Sequence, residues 1–198
     1  HRICFQMIYI YKGWVQVVYE DQGPPFIMKA GDCVLQPPEI RHRVLECSPG
    51  FEVIEISCPA EHMTYAEHDI KLPTAALQPD RDFNGQRYAL HVAENASWKP
   101  WHIHGFECRD IGIATATAGL ASVQVARIKD VVTTTTYNHD GEFLFMFVIN
   151  GNCALNCNGE HTLAPGDAIV IPAKTNYSFD QCADNLEMLE VVLPARLP

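Results

Sequence analysis

Short runs of apolar, β-branched and aromatic residues, each stopped by glycine, proline or an acidic turn, recur along most of the chain. Phe5 to Tyr11 is such a run and ends at Gly13. Trp14-Val15-Gln16-Val17-Val18-Tyr19 follows, then the turn cluster Glu20-Asp21-Gln22-Gly23-Pro24-Pro25, and Phe26-Ile27-Met28 resumes the pattern. Side chains of these types fit a pleated, half-buried surface, so each run predicts a strand. Phe51 to Ile56 closes this series. Arg87 to Val92 predicts an isolated strand, and Ile111-Gly112-Ile113, Ser122 to Ile128 and Thr133 to Thr136 predict the opening of a second series. Phe143 to Ile149, Cys153 to Cys157, Ala168 to Ile171 and Leu186 to Leu193 complete it. Strong helix signals are missing, and residues 60–69 read equally as a short helix or an irregular loop. Short strands with turns at this spacing predict an all-β sandwich or barrel.

The second series repeats the first. Gly31-Asp32 leads into a short strand that Pro37 stops, and His42 follows where a new strand can aim its imidazole inward. A shift of 135 places Gly31, Asp32, Pro37, Cys47, Glu52, Glu55, Pro59 and Ala60 on identical residues without a gap. A repeat that long is too large for a solenoid unit and predicts two copies of one domain. Tyr177 stands where the second copy would carry the counterpart of His42. The division expected is 1–72 for the first barrel, 73–105 for a proline-marked connecting region, and 106–198 for the second barrel. The first copy has no counterpart of the Phe106–Thr136 prelude, so its opening strands are missing from this chain or come from a partner chain.

Composition narrows the class more than the chemistry. Of 198 residues, 47% are hydrophobic and 19% charged, as in a globular protein with ample core. Lys+Arg 14 against Asp+Glu 24 gives a net charge of −10, which argues against nucleic acid or an anionic membrane as partner. No membrane-length apolar run or signal-peptide pattern is present. The eight cysteines lack a CxxC pair and sit mostly in apolar runs, so they read as reduced, buried residues of a cytoplasmic protein. The chain begins at His1 rather than methionine, which leaves room for an upstream segment.

The spacings resemble the two motifs of the cupin superfamily. Gly31, Asp32, Pro37 and His42 match GD(x)4P(x)4H. His1, Gln6 and Gly13 match the second histidine, the acid or amide, and the glycine of HxH(x)3–4[E/Q](x)6G, with the first histidine falling two positions ahead of His1. The resemblance implies two tandem cupin barrels of the double-stranded β-helix or jelly-roll type, that is, a bicupin. It also implies a divalent transition metal (Fe, Mn, Ni or Zn) held by His1, Gln6 and His42. Neutral imidazoles and an oxygen donor suit such ions and leave positions open. An amide donates less charge than glutamate, so weaker binding is expected, with three ligands or an empty site in this chain. In the second copy Tyr137, His139, Leu144, Gly151 and Tyr177 occupy the motif positions. Leucine ligates nothing, so no metal is expected there, and His139 reads as a polar residue near the barrel mouth.

Other features read as structural. Trp101-His102-Ile103-His104 contains HxH without the following glycine, and reads as a linker packing its aromatics. Glu61-His62 and Glu67-His68 read as solvated. Glu52 and Glu55, three apart, point to opposite faces of a strand, which excludes a close carboxylate pair. Asn95-Ala96-Ser97 fits a glycosylation sequon, a frequent chance match. The resemblance implies a metal-dependent enzyme, dioxygenase-like or related, acting on a small organic acid, phenolic compound or sugar derivative. A non-catalytic bicupin that binds or senses a small molecule is the alternative, and a structural bicupin of the seed-storage type ranks third. By analogy with other cupins a homodimer is expected. No catalytic residue is assigned, since one fold hosts many functions.

Overall fold

The computed structural model describes residues 1–195, and its regular structure is almost all β. The chain divides into two compact units: His1–Asn95 with Ala116–Ala118, and Ala96–Thr115 with the chain from Gly119 onward. The first unit contains β1 (Phe5–Lys12), β2 (Trp14–Tyr19), β3 (Phe26–Lys29), β4 (Cys33–Leu35), β5 (His42–Cys47) and β6 (Glu52–Cys58). A small hairpin, β7 (Asp82–Phe83) with β8 (Gln86–Arg87), and β9 (Ala89–His91) follow. One sheet runs β6-β1-β4-β9 and the other β3-β2-β5. Ile10 and Val34 from the first and Val15, Val17 and Met28 from the second share a buried core.

The next elements are β10 (Lys99–Pro100), β11 (Phe106–Asp110), the helix α1 (Ile113–Ala116) and β12 (Ser122–Ile128). After them come β13 (Phe143–Asn150), β14 (Cys153–Asn156), β15 (Glu160–Leu163), β16 (Ala168–Val170), β17 (Ser178–Asp180) and β18 (Glu187–Leu193). The second unit's sheets run β10-β11-β12-β18-β13-β16 and β15-β14-β17. Strands β13 to β18 thus repeat β1 to β6 pair by pair. The repeat extends to irregularities: the β1–β6 register shifts between Ile10 and Lys12, and the β13–β18 register between Val148 and Asn150.

The two Gly-Asp pairs have a structural cause. Gly31 (φ 95) and Gly166 (φ 96) take a backbone conformation that L side chains rarely adopt. The following carboxylates then close the turn, Asp32 Oδ2 accepting from the Lys29 amide at 2.7 Å and Asp167 Oδ2 from the Ala164 amide at 2.8 Å.

Several expectations differ from what the chain does. Thr133 to Thr136 is exposed coil, because β-branched residues hold a strand only where they pack against neighbours. Ile113 opens a helical turn instead of a strand, followed by the good helix formers Ala114 and Ala116. Residues 60–69 contain no helix; Met63 makes an isolated bridge with Arg2. Cys4, Cys47 and Cys58 are exposed rather than buried, and all eight cysteines are free. No helix of the described residues is long and apolar enough to cross a membrane.

Gly151 is held tightly against backbone. Its φ is +72°, and an added Cβ would lie 2.7 Å from both the Cα and the amide nitrogen of Leu186. Gly112, at φ +85°, has open space. Gly112→Ala should therefore cost about 1–2 kcal/mol of backbone strain alone. Gly151→Ala should cost at least about twice that in urea unfolding, since backbone must also move. Equal losses would remove the close approach from the account.

Candidate functional site

Ile8 and Ile10 of β1 turn into the first unit's core, and strand alternation sends Gln6 the same way, where it is 2% exposed. The β6 register places Ser57 opposite Gln6 and Glu55 opposite Ile8. Gln6 Nε2 donates to Glu55 Oε1 at 2.7 Å, and the Ser57 hydroxyl donates to the same oxygen at 2.9 Å. His42 begins β5 opposite Tyr19 of β2 and stacks on its ring, with centroids 5.5 Å apart. His42 Nδ1 lies 3.2 Å from the Ile40 carbonyl, which places a proton on Nδ1 and leaves the Nε2 lone pair.

The His1 carbonyl accepts from the Glu39 amide at 3.0 Å, just as the His139 carbonyl accepts from the Lys174 amide at 2.8 Å. The His1 ring faces that of His42, centroids 5.4 Å apart and planes 13° apart. Its Nδ1 lies 3.1 Å from both His62 Nε2 and Thr64 Oγ1. His1 and His42 share the wall of a cavity of about 860 Å³, which Arg41, Arg43, His68 and Phe83 also line. Two rings so nearly parallel direct their in-plane lone pairs along neighbouring planes, not to one point. Among the described residues, no three His, Cys, Asp or Glu side chains gather into a group that could hold a metal ion.

Burial lowers the His42 pKa below its ordinary 6.5; the Ile40 carbonyl and Glu55 oppose that shift without reversing it. The imidazole is therefore neutral near pH 7. At the rim, Arg41 makes a two-bond pair with Glu67 (2.5 and 3.2 Å) and also reaches Glu20. Arg81 joins Glu20 at 2.9 Å and Asp21 at 2.8 Å. These pairs neutralise two of the three rim arginines while adding little stability where solvent reaches them.

Glu67 and His68 line the cavity and His62 touches His1, while Glu67 and His68 are solvent-exposed as expected; a loop's approach to a distant strand leaves no trace in local pattern. His139 is 5% exposed, with Nε2 2.8 Å from the Ile171 carbonyl, so it lies inside and not at a mouth. Trp101 and Ile103 pack into the second unit's core, and His102 Nε2 lies 3.8 Å from Glu190. Thiol chemistry has no support at Cys108, Cys153 or the half-buried Cys182: burial pushes Cys153 up to about 12, and Cys108 and Cys182 up to about 11.

Two buried polar positions escaped the motifs. Tyr19 and Gln36 join in the first interior, Gln36 Nε2 donating to the Tyr19 hydroxyl at 2.6 Å. The repeat itself carried the signal. Shifted by 138 or 135, Gln6, Tyr19, Gln36 and His42 fall on Leu144, Cys157, Ile171 and Tyr177. All four of those counterparts belong to the second unit's hydrophobic core.

No protein-family model matches the sequence, and no curated protein does. Solved structures do match. Over 98% of its length the chain superposes on protein YlbA from E. coli with TM-score 0.67 at 9% identity, covering 69% of that chain. A Pseudomonas aeruginosa protein described as glyoxylate-induced gives TM-score 0.67 at 9% identity, over 98% of this chain and 68% of that one. The Bacillus subtilis oxalate decarboxylase, with Mn(II) centres, gives TM-score 0.67 at 10% identity, over 100% of this chain and 65% of that one. The fold is that of a bicupin. At these identities the likeness fixes the fold alone, and the bicupin chain spans about two thirds of each of these proteins.

The lowered His42 pKa has a stability consequence. Above pH 6.5 the ring is neutral folded or unfolded, so its burial carries no protonation penalty. As pH falls below 6.5 the unfolded chain takes the proton first, and folding stability is lost down to the depressed folded pKa. In urea unfolding from pH 7.5 to 5.5, His42→Gln should therefore lose less stability than the parent. A parallel decline in both would contradict the assignment.

Proposed function

We propose that the first barrel of this bicupin is a binding chamber for a small polar organic molecule held against His42, and that the second barrel is a packed scaffold. One observation carries the reading. The same four interior positions hold Gln6, Tyr19, Gln36 and His42 in the first unit, and Leu144, Cys157, Ile171 and Tyr177 in the second. The fold closes without the polar set, so the polar set answers to a ligand and not to folding. The adjoining cavity of about 860 Å³ has the size of small-molecule sites. Calorimetric titration with short organic acids, phenols and sugar derivatives tests it. At least one should bind saturably, about tenfold or more weaker in His42→Ala and unchanged in Tyr177→Phe. Failure of every compound, or equal binding by His42→Ala, ends the reading.

A second reading is favoured by how the polar atoms are tied. Glu55 takes the Gln6 amide nitrogen and the Ile40 carbonyl takes His42 Nδ1, which leaves Gln6 Oε1 and His42 Nε2 as donors. Such outer partners orient ligands in metal sites. His1, Gln6 and His42 would hold a divalent ion weakly, because all three are neutral and the two rings must splay to converge. Bound there, the ion would supply a Lewis-acid centre for chemistry on a small acid, phenol or sugar derivative. Elemental analysis of the parent and His42→Ala decides this: the parent should retain metal that the variant loses, and equal contents defeat the site.

A further inference from the structure

The first barrel holds three buried polar side-chain atoms with no hydrogen-bond partner among the described residues, Gln36 Oε1, Gln86 Oε1 and the Tyr88 hydroxyl, and the first and last of these lie around Tyr19. Gln36 and Tyr88 belong to one cluster. Tyr19 stacks on His42, its ring centroid lies 4.9 Å from that of Tyr88, and its hydroxyl accepts from Gln36 Nε2. His42 and Phe83 connect this cluster to the cavity: both line the cavity, and Phe83 packs in the same core as Tyr19 and Tyr88. Burying either atom without a partner costs its hydration with nothing in return, and the second barrel avoids that cost at the position of Gln36 by placing Ile171 there, 0% exposed.

We infer that Gln36 and Tyr88 form an inner subsite that reads a neutral hydroxyl group of the chamber's ligand. The amide oxygen can only accept and the phenol is free to donate, so the complementary group must do both. A carboxylate would accept from Tyr88 but offer nothing to Gln36; an ammonium would give to Gln36 but take nothing from Tyr88. A hydroxyl satisfies both. Burial raises the pKa of Tyr19 and Tyr88, so both stay uncharged phenols through the neutral range. The subsite thus adds a substrate class, hydroxylated small molecules, to the binding chamber, and it rests on that chamber reading.

The test uses pairs differing by one hydroxyl, 3-hydroxybenzoate with benzoate and glycolate with acetate, titrated into the whole chain. The parent should prefer the hydroxylated member of at least one pair by tenfold or more. Tyr88→Phe and Gln36→Ile should each cut that preference to threefold or less, and Tyr88→Phe should leave the deoxy member's affinity unchanged. Equal binding of both members of every pair by the parent, as when water holds the two atoms, overturns the subsite and leaves the chamber standing. A preference that survives both variants also overturns it. If no compound binds, chamber and subsite fall together. Should Gln36→Ile fail to fold, Tyr88→Phe, which keeps the ring, decides alone.

Discussion

When β1 lies antiparallel to β6, Gln6 falls opposite Ser57 and Ile8 opposite Glu55, and every interior group of the first barrel follows from that register. Side chains alternate with period two, so a slip of one residue would send Gln6 to the sheet's other face, where Phe5 and Met7 are buried, and put those two in its place. The 2.7 Å bond from Gln6 to Glu55 exists only in this register. The matching shift at Ile10/Lys12 and at Val148/Asn150 shows each copy holding its register with the same device. Gly13 and Gly151 sit directly after it, both at positive φ.

The two copies separate what the fold requires from what it tolerates. Turns are kept to the level of single hydrogen bonds: the Ile40 amide reaches the Pro37 carbonyl as the Thr175 amide reaches that of Pro172. Glu39 and Lys174 both take a positive φ in those turns, at 63° and 60°. Backbone at such points is dictated by geometry, whatever the side chain. Interior side chains are not kept. Where the second barrel fills its centre with Leu144, Ile171 and Tyr177, the first buries two amides and places an imidazole on the wall of a cavity.

Much of the fold was legible because strands announce themselves locally. The run Trp14–Tyr19 coincides with β2 and Ser122–Ile128 with β12, where β-branched residues alternate against a neighbouring sheet. The threonine run failed for the complementary reason: four β-branched residues with nothing apolar to bury have no sheet to join. At the site, local spacing gave His1, Gln6 and His42, and the structure brings His1 and His42 to one cavity. It did not give His62, Thr64 or Glu67, which reach the cavity through a loop of irregular backbone. Nor did it single out Glu55 as the partner of Gln6, since that pairing joins residues 49 apart in sequence. Long-range closure is set by packing, which periodicity does not encode.

The polar interior has an energetic cost that bears on why it exists. A buried amide oxygen or phenol without a partner loses its hydration and gains nothing in return. The second barrel demonstrates that apolar residues satisfy the same backbone, so substitution toward them was open to the first. Sites that bind or react are commonly retained against such a gradient, with stability given up for function. Rim ion pairs do not offset the loss, because Arg41 and Glu67 meet where solvent screens them. On the chamber reading, occupancy would offset it: a ligand that supplies the missing partners stabilises the folded chain in proportion to its binding. On the chamber reading, the first barrel is the one whose stability should respond to small molecules.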